Sequence, residues 1–121
     1  MPEELTEAQL AELVQRLHDL RAELRKTLRT TGEHAQTVEL DQASVGRLSR
    51  MDAIQQQQMA DAQRRRNELR LKQIAVALMA VDDDEYGDCK VCGEPIGFAR
   101  LRARPESPAC VSCMAKLERG Q

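Results

Sequence analysis

Leu10, Leu13, Leu17, Leu20 and Leu24 recur alternately three and four residues apart, and Leu28 continues the series with a slight drift. A repeat averaging about 3.5 residues is the a/d seam of a helix laid along another helix. Thr6-Glu7-Ala8-Gln9 reads as a capping box, in which Thr6 accepts from the amide of Gln9 and Gln9 reaches back to that of Thr6. Leu5 and Leu10 flank it as a hydrophobic staple. Arg21, Arg25, Lys26 and Arg29 gather positive charge toward the far end, where the helix dipole favours it. These signals predict a first helix over Glu7 to Thr30. Gly32 is a natural C-terminal stop, and Thr31 to Leu40 carries no helical stripe, so a loop is expected near 31–41.

Asp41 or Ser44 can cap a second helix, running from about Gln42 to about Val81. Its seam is weaker: Val45, Leu48, Met51, Met59, Ala62 and Leu69, then Ile74, Val76, Leu78, Met79 and Val81, with the polar run Gln55 to Gln58 interrupting. Two long helices joined by a loop of about ten residues predict an antiparallel hairpin. The fold class is therefore mainly α. A hairpin, a coiled coil over residues 1–81, precedes a small cysteine-bearing domain over 82–121 that ends in a short helix. Asp82-Asp83-Asp84-Glu85 would oppose the helix dipole and reads as the turn between the two.

Composition agrees with this architecture. Tyr86 and Phe98 are the only aromatic residues in a chain of 121, too few to fill a large globular core. Ala, Leu, Glu, Gln and Arg dominate the first two thirds, as suits helices packed side by side. The net charge of −2 gives no overall basic balance for nonspecific DNA binding. The basic stretch Arg64, Arg65, Arg66, Arg70 and Lys72 reads as a solvated helix face rather than a phosphate site. No apolar run is long enough for a signal peptide or a membrane span, so a cytoplasmic location is expected.

All four cysteines lie in two pairs, Cys89-x-x-Cys92 and Cys110-x-x-Cys113, with 17 residues between the pairs. That is the spacing of a four-cysteine zinc site, because each turn brings two thiolates to one tetrahedral ion. Gly93 directly after the second cysteine suits a knuckle needing a left-handed residue. A dithiol redox pair would call for a βαβ context that is absent, and disulfides for a secreted chain. Four thiolates leave no open position for a catalytic water, so the single zinc is read as structural. His18 falls outside the leucine seam and His34 in the expected loop, so neither is read as a ligand. The chain has no Ser-His-Asp order, P-loop or dinucleotide-binding turn, and no enzymatic activity is expected.

The C-terminal third carries more than cysteine spacing. Tyr86-Gly87-x-Cys89-x-x-Cys92-Gly93-x-x-Ile96, then Arg100-Leu101-x-Ala103-Arg104-Pro105 and Cys110-x-x-Cys113, resembles the DksA/TraR family of zinc-finger transcription regulators. The resemblance is close over Asp84 to Cys113; the N-terminal hairpin fits in architecture. It implies that the protein binds bacterial RNA polymerase, places its hairpin in the secondary channel and modulates initiation without contacting DNA; a monomer without membrane contact is expected. The family's acidic tip, Asp-x-x-Asp-x-Ala, is met here by Asp41-Gln42-Ala43, with Val38 in place of the first Asp. A gapless count back from Cys89 makes Asp52-Ala53 a rival. Guanosine tetraphosphate cooperates with the best-known members. Arg66 and Arg104 match basic positions of the nucleotide site, but Gln73 and Met114 replace lysines, so a weak or absent response is expected. Two other function classes stand beside this one. A nucleic-acid-binding zinc module would use Arg100, Arg102 and Arg104 yet lacks stacking aromatics beyond Phe98, and a zinc-stabilised adaptor would use the hairpin as a protein dock.

Overall fold

A computed structural model of the chain describes the backbone of residues 3–41 and 47–120 and the side chains of 3–30 and 50–120. Its element order is α1 (Glu7–Asp41), α2 (Arg47–Asp82), α3 (Phe98–Ala103) and α4 (Val111–Arg119). The expected helical hairpin and cysteine-bearing module are both present.

The start of α1 follows the capping box. The Gln9 amide donates to Thr6 Oγ1 at 3.2 Å and the Thr6 amide to Gln9 Oε1 at 3.0 Å. Leu13, Leu17 and Leu24 are buried and Leu10, Leu20 and Leu28 half-buried, so the leucine seam faces inward along its length.

The far end of α1 corrects the expectation of a loop near 31–41, because the helix runs on to Asp41. Gly32 inside a helix costs only about 1 kcal/mol relative to Ala. Glu33, Ala35, Gln36, Glu39 and Leu40 are good helix formers, and no proline interrupts them. Thr27 and Thr30, which flank the break in the stripe, donate their hydroxyls back to the carbonyls of Glu23 and Lys26, both at 3.0 Å. They are thereby accommodated inside the helix. Arg21 to Arg29 accordingly lie mid-helix, and the last turn has no basic residue. The second helix is described from Arg47 to Asp82 and runs through the glutamine stretch without a break; its expected start near Gln42 lies outside the described residues.

The seam of α2 also differs from expectation. Met51, Met59, Leu69, Val76 and Met79 are exposed, Met59 at 72%. The inward positions include Ala53, Gln57, Asn67, Leu71, Ile74, Ala77 and Leu78. Polar and small residues thus share the buried face with the expected Ala62, Ile74, Leu78 and Val81, so hydrophobicity alone traced it only in part; the expected Val45 and Leu48 lie outside the described side chains. Asn67, almost fully buried, accepts from Gln63 Nε2 at 3.2 Å. On the solvent side Arg64 and Glu68 form an i,i+4 pair at 3.2 Å, worth about 0.3–0.5 kcal/mol.

The chain divides into two compact units, one of Met1–Arg21 with Lys72–Gln121 and one of Ala22–Leu71. The division falls within the helices. In the Ala22–Leu71 unit, Leu24 and Asn67 are the buried side chains among the described residues. The other unit holds a continuous apolar cluster. Leu13 from α1 joins Cys89, Ile96, Leu101, Ala109 and Cys113, with Leu5, Tyr86, Phe98, Cys110 and Met114 packed around them.

The end of α2 is a Schellman turn. The Glu85 amide donates to the Ala80 carbonyl at 2.8 Å and that of Asp84 to Val81 at 3.2 Å. Asp84 takes φ 57°, the left-handed conformation this motif demands. The acidic run is thus the exit from the helix, as expected, and it aims the chain into the cysteine module.

Candidate metal centre

Each cysteine pair is positioned by a different local device. Around the first, Asp88 and Pro95 form an isolated antiparallel bridge. The Cys89 amide donates to the Glu94 carbonyl at 2.8 Å and the Gly93 amide to the Cys89 carbonyl at 2.9 Å. Gly93 has φ 78°, so the glycine after Cys92 serves the left-handed position its place in the motif predicts. The amides of Val91 and Cys92 then point at Cys89 Sγ, at 3.4 and 3.5 Å. Cys110, in the second pair, is the N-cap residue of α4, and Cys113 lies in that helix's first turn. The Lys90 amide donates to the Pro108 carbonyl at 3.0 Å and ties the two knuckles together.

These devices bring Cys89, Cys92, Cys110 and Cys113 to one point, with all four sulfurs within 4.8 Å of one another. Cys92 Sγ lies 3.9 Å from Cys110 Sγ. Sulfurs on a tetrahedral zinc with bonds of about 2.3 Å stand about 3.8 Å apart, so the donor set fits that ion. Cys89 and Cys113 are buried, Cys110 is half-buried and Cys92 is exposed.

The electrostatics are graded across the four. Burial pushes the Cys89 thiol up, but the amides of Cys92, Cys110 and Val91, together with the Cys92 thiol, outweigh it and bring it down to about 6. Cys113 is pushed up to about 12, first by its hydrogen bond with Cys110 and then by burial. For Cys92 the Glu94 amide acts downward, but the Cys89 sulfur and burial carry the thiol above its ordinary value. Cys89 is thus biased toward the thiolate, while Cys92 and Cys113 are biased toward the thiol by the crowding of negative charge. A divalent cation relieves that crowding and takes the place of the protons.

Tyr86 buttresses the site from the linker. Its hydroxyl donates to the Pro105 carbonyl at 2.8 Å. Burial, reinforced by Glu106, raises the phenol well above its ordinary value, so Tyr86 stays neutral. Gly87 has φ 101°, and a Cβ there would come within 3.0 Å of Leu5 Cδ1. The Tyr-Gly pair ahead of Cys89 is thus a packing requirement as well as a sequence signature.

The remaining sequence-derived positions are scattered. Asp41 is the last residue of α1, but its side chain lies outside the described residues, as does Ala43. Asp52 is exposed early in α2. Arg66 is exposed in the Ala22–Leu71 unit and donates to Gln63 Oε1 at 2.6 Å, whereas Arg104 is exposed in the other unit. Gln73 is half-buried, and Met114 packs on the apolar cluster. Sequence reasoning missed Leu13, which looked like one seam leucine among several yet packs in the same cluster as two cysteines. Nothing in the periodicity distinguished it. Among the described residues, no helix is long and apolar enough to cross a membrane.

Comparison with known proteins extends the local picture to the whole chain. The prokaryotic dksA/traR C4-type zinc finger matches residues 84–119. The chain is 33% identical over 118 residues to the RNA polymerase-binding transcription factor DksA of Escherichia coli K12, covering 96% of this chain and 76% of that protein. It is 42% identical over 48 residues to the protein of the same name from Haemophilus influenzae, a match spanning 40% of this chain and only 33% of that relative. The solved structure of transcription factor DksA2 from Pseudomonas aeruginosa superposes with a TM-score of 0.73 at 26% identity, over 93% of this chain and 85% of that one. The four cysteines hold a structural zinc, and with its helical hairpin and C4 finger the chain belongs to the DksA/TraR family.

Proposed function

We propose that this protein is a transcription regulator that works by binding RNA polymerase. The observation that carries the reading is the match over nearly the whole chain to a relative named for polymerase binding, rather than over the finger alone. The hairpin is the element suited to entering a narrow channel, and the polymerase's secondary channel is the site we assign to it. The connection between α1 and α2 then approaches the catalytic centre, where a carboxylate acts on the bound Mg²⁺ by electrostatics. Asp41, at the end of α1, is our preferred tip residue, with the small Ala43 beside it and Asp52 as the rival.

The protein is not an enzyme in this reading, because four thiolates close the zinc coordination shell. It works in the cytoplasm, where the polymerase is, as a monomer and without direct DNA contact. Response to guanosine tetraphosphate is weak or absent, since Gln73 and Met114 supply no phosphate-pairing charge beside Arg66 and Arg104.

The test is transcription in vitro with the host polymerase, joined to a pull-down. Asp41→Asn keeps the size and removes the charge. It is expected to retain polymerase binding and to lose the effect on promoter-complex lifetime. Loss of activity in Asp52→Asn instead would move the tip and leave the mechanism standing. Failure of the wild-type protein to bind polymerase at micromolar concentration would overturn the function.

A further inference from the structure

We infer that Leu13 of α1 is a positioning residue of the zinc centre, so that metal occupancy and the packing of the hairpin base form a single equilibrium. Leu13 has no exposed surface, and it shares one apolar cluster with Cys89 and Cys113, the two buried ligands. Ile96, Leu101 and Ala109 complete the cluster, and Leu5 from the segment before α1 packs on it and against Gly87. The walls of this cluster are therefore built partly from α1 and partly from the metal-binding turns. All of it lies in the unit that joins Met1–Arg21 to Lys72–Gln121.

Without a cation to ligate, the four sulfurs are no longer drawn to one point. Cys89 and Cys113 cannot shift without opening the surface on which Leu13 packs. Conversely, a cavity at Leu13 loosens the wall that holds these two sulfurs in register. Because a binding free energy that assembles its own site is also folding free energy, the coupling runs in both directions. The Ala22–Leu71 unit has its own buried side chains, Leu24 and Asn67, and stands outside this equilibrium.

The experiment uses the full chain and needs no polymerase. Zinc affinity is measured by competition with a chromophoric chelator, and hydrogen exchange is compared between metal-loaded and chelator-stripped protein. Leu13→Ala is expected to weaken zinc binding about 10- to 100-fold, the range for groups that support metal ligands. Leu24→Ala, also in a buried leucine of α1, is expected to leave it within about twofold. Stripping the metal should raise exchange across residues 7–21 and 72–82 together with 84–119, with 50–71 unchanged. Should Leu13→Ala fail to fold, Leu13→Val gives a smaller loss in the same direction, and the exchange comparison requires no variant. Wild-type affinity in the Leu13 variants, equal weakening by Leu24→Ala, or exchange changes confined to 84–119 would each overturn the inference.

Discussion

Asp84 stands at the left-handed position that closes α2, with φ 57° and its amide on the Val81 carbonyl. An L-residue with a side chain spends about 1–2 kcal/mol to sit there, with Asp at the lower end because its short polar side chain tolerates the region. Glycine removes that strain but gives back about 0.5–1 kcal/mol through the greater freedom of the unfolded chain. Replacing the carboxylate also removes an exposed negative charge from the negative end of the helix dipole, worth about 0.3 kcal/mol. Asp84 is exposed, so no packing is lost. Asp84→Gly is therefore expected to stabilise the protein by about 0.3–0.8 kcal/mol, raising the midpoint of thermal unfolding by about 1–5 °C. Asp84→Ala removes the same charge but keeps a Cβ in the left-handed region, and should fall about 0.5–1 kcal/mol below Asp84→Gly once glycine's greater unfolded-state freedom is counted. Tyr86 is the only tyrosine and there is no tryptophan, so its emission reports unfolding of the unit that contains it. Urea titration followed by this signal, beside far-ultraviolet circular dichroism, measures the three proteins on one scale. If Asp84→Gly is less stable than wild type, or matches Asp84→Ala, then strain at the Schellman turn is not what limits the end of α2.

Leu17 is fully buried, so Leu17→Ala is expected to cost about 3 kcal/mol, whereas Met59→Ala, at 72% exposure, should stay within about 0.5 kcal/mol; equal losses in urea unfolding would refute the inward seam. Zinc affinity should rise with pH, because Cys113, held up to about 12, and the raised Cys92 must surrender protons to the metal. Chelator competition between pH 6 and 8 should show a gain of at least about tenfold per pH unit, and a flat profile would contradict the protonation pattern. Retention should fail most steeply below about 6, where the lowered Cys89 thiol also becomes protonated.

Features that depend on neighbours along the chain were legible without the fold. Two Cys-x-x-Cys turns, Gly93 after one of them, the Thr6 capping box and the leucine seam of α1 each express their chemistry within a few residues. They could be read directly because local hydrogen bonding and a regular period leave few alternatives. The remaining features depend on contacts between distant segments. Gly32 looks like a stop, but a glycine penalty near 1 kcal/mol does not end a helix whose flanking residues favour it. The inward face of α2 contains Gln57 and Asn67 while Met51 and Met59 point outward, so burial on that helix follows what faces it rather than its own hydrophobicity. Leu13 is buried where Leu10 and Leu20 are half-buried, and it shares a cluster with cysteines of a segment distant in sequence. Such assignments arise from long-range packing, where one side chain's partner is set by the path of the whole chain, and no period or spacing along α1 encodes it.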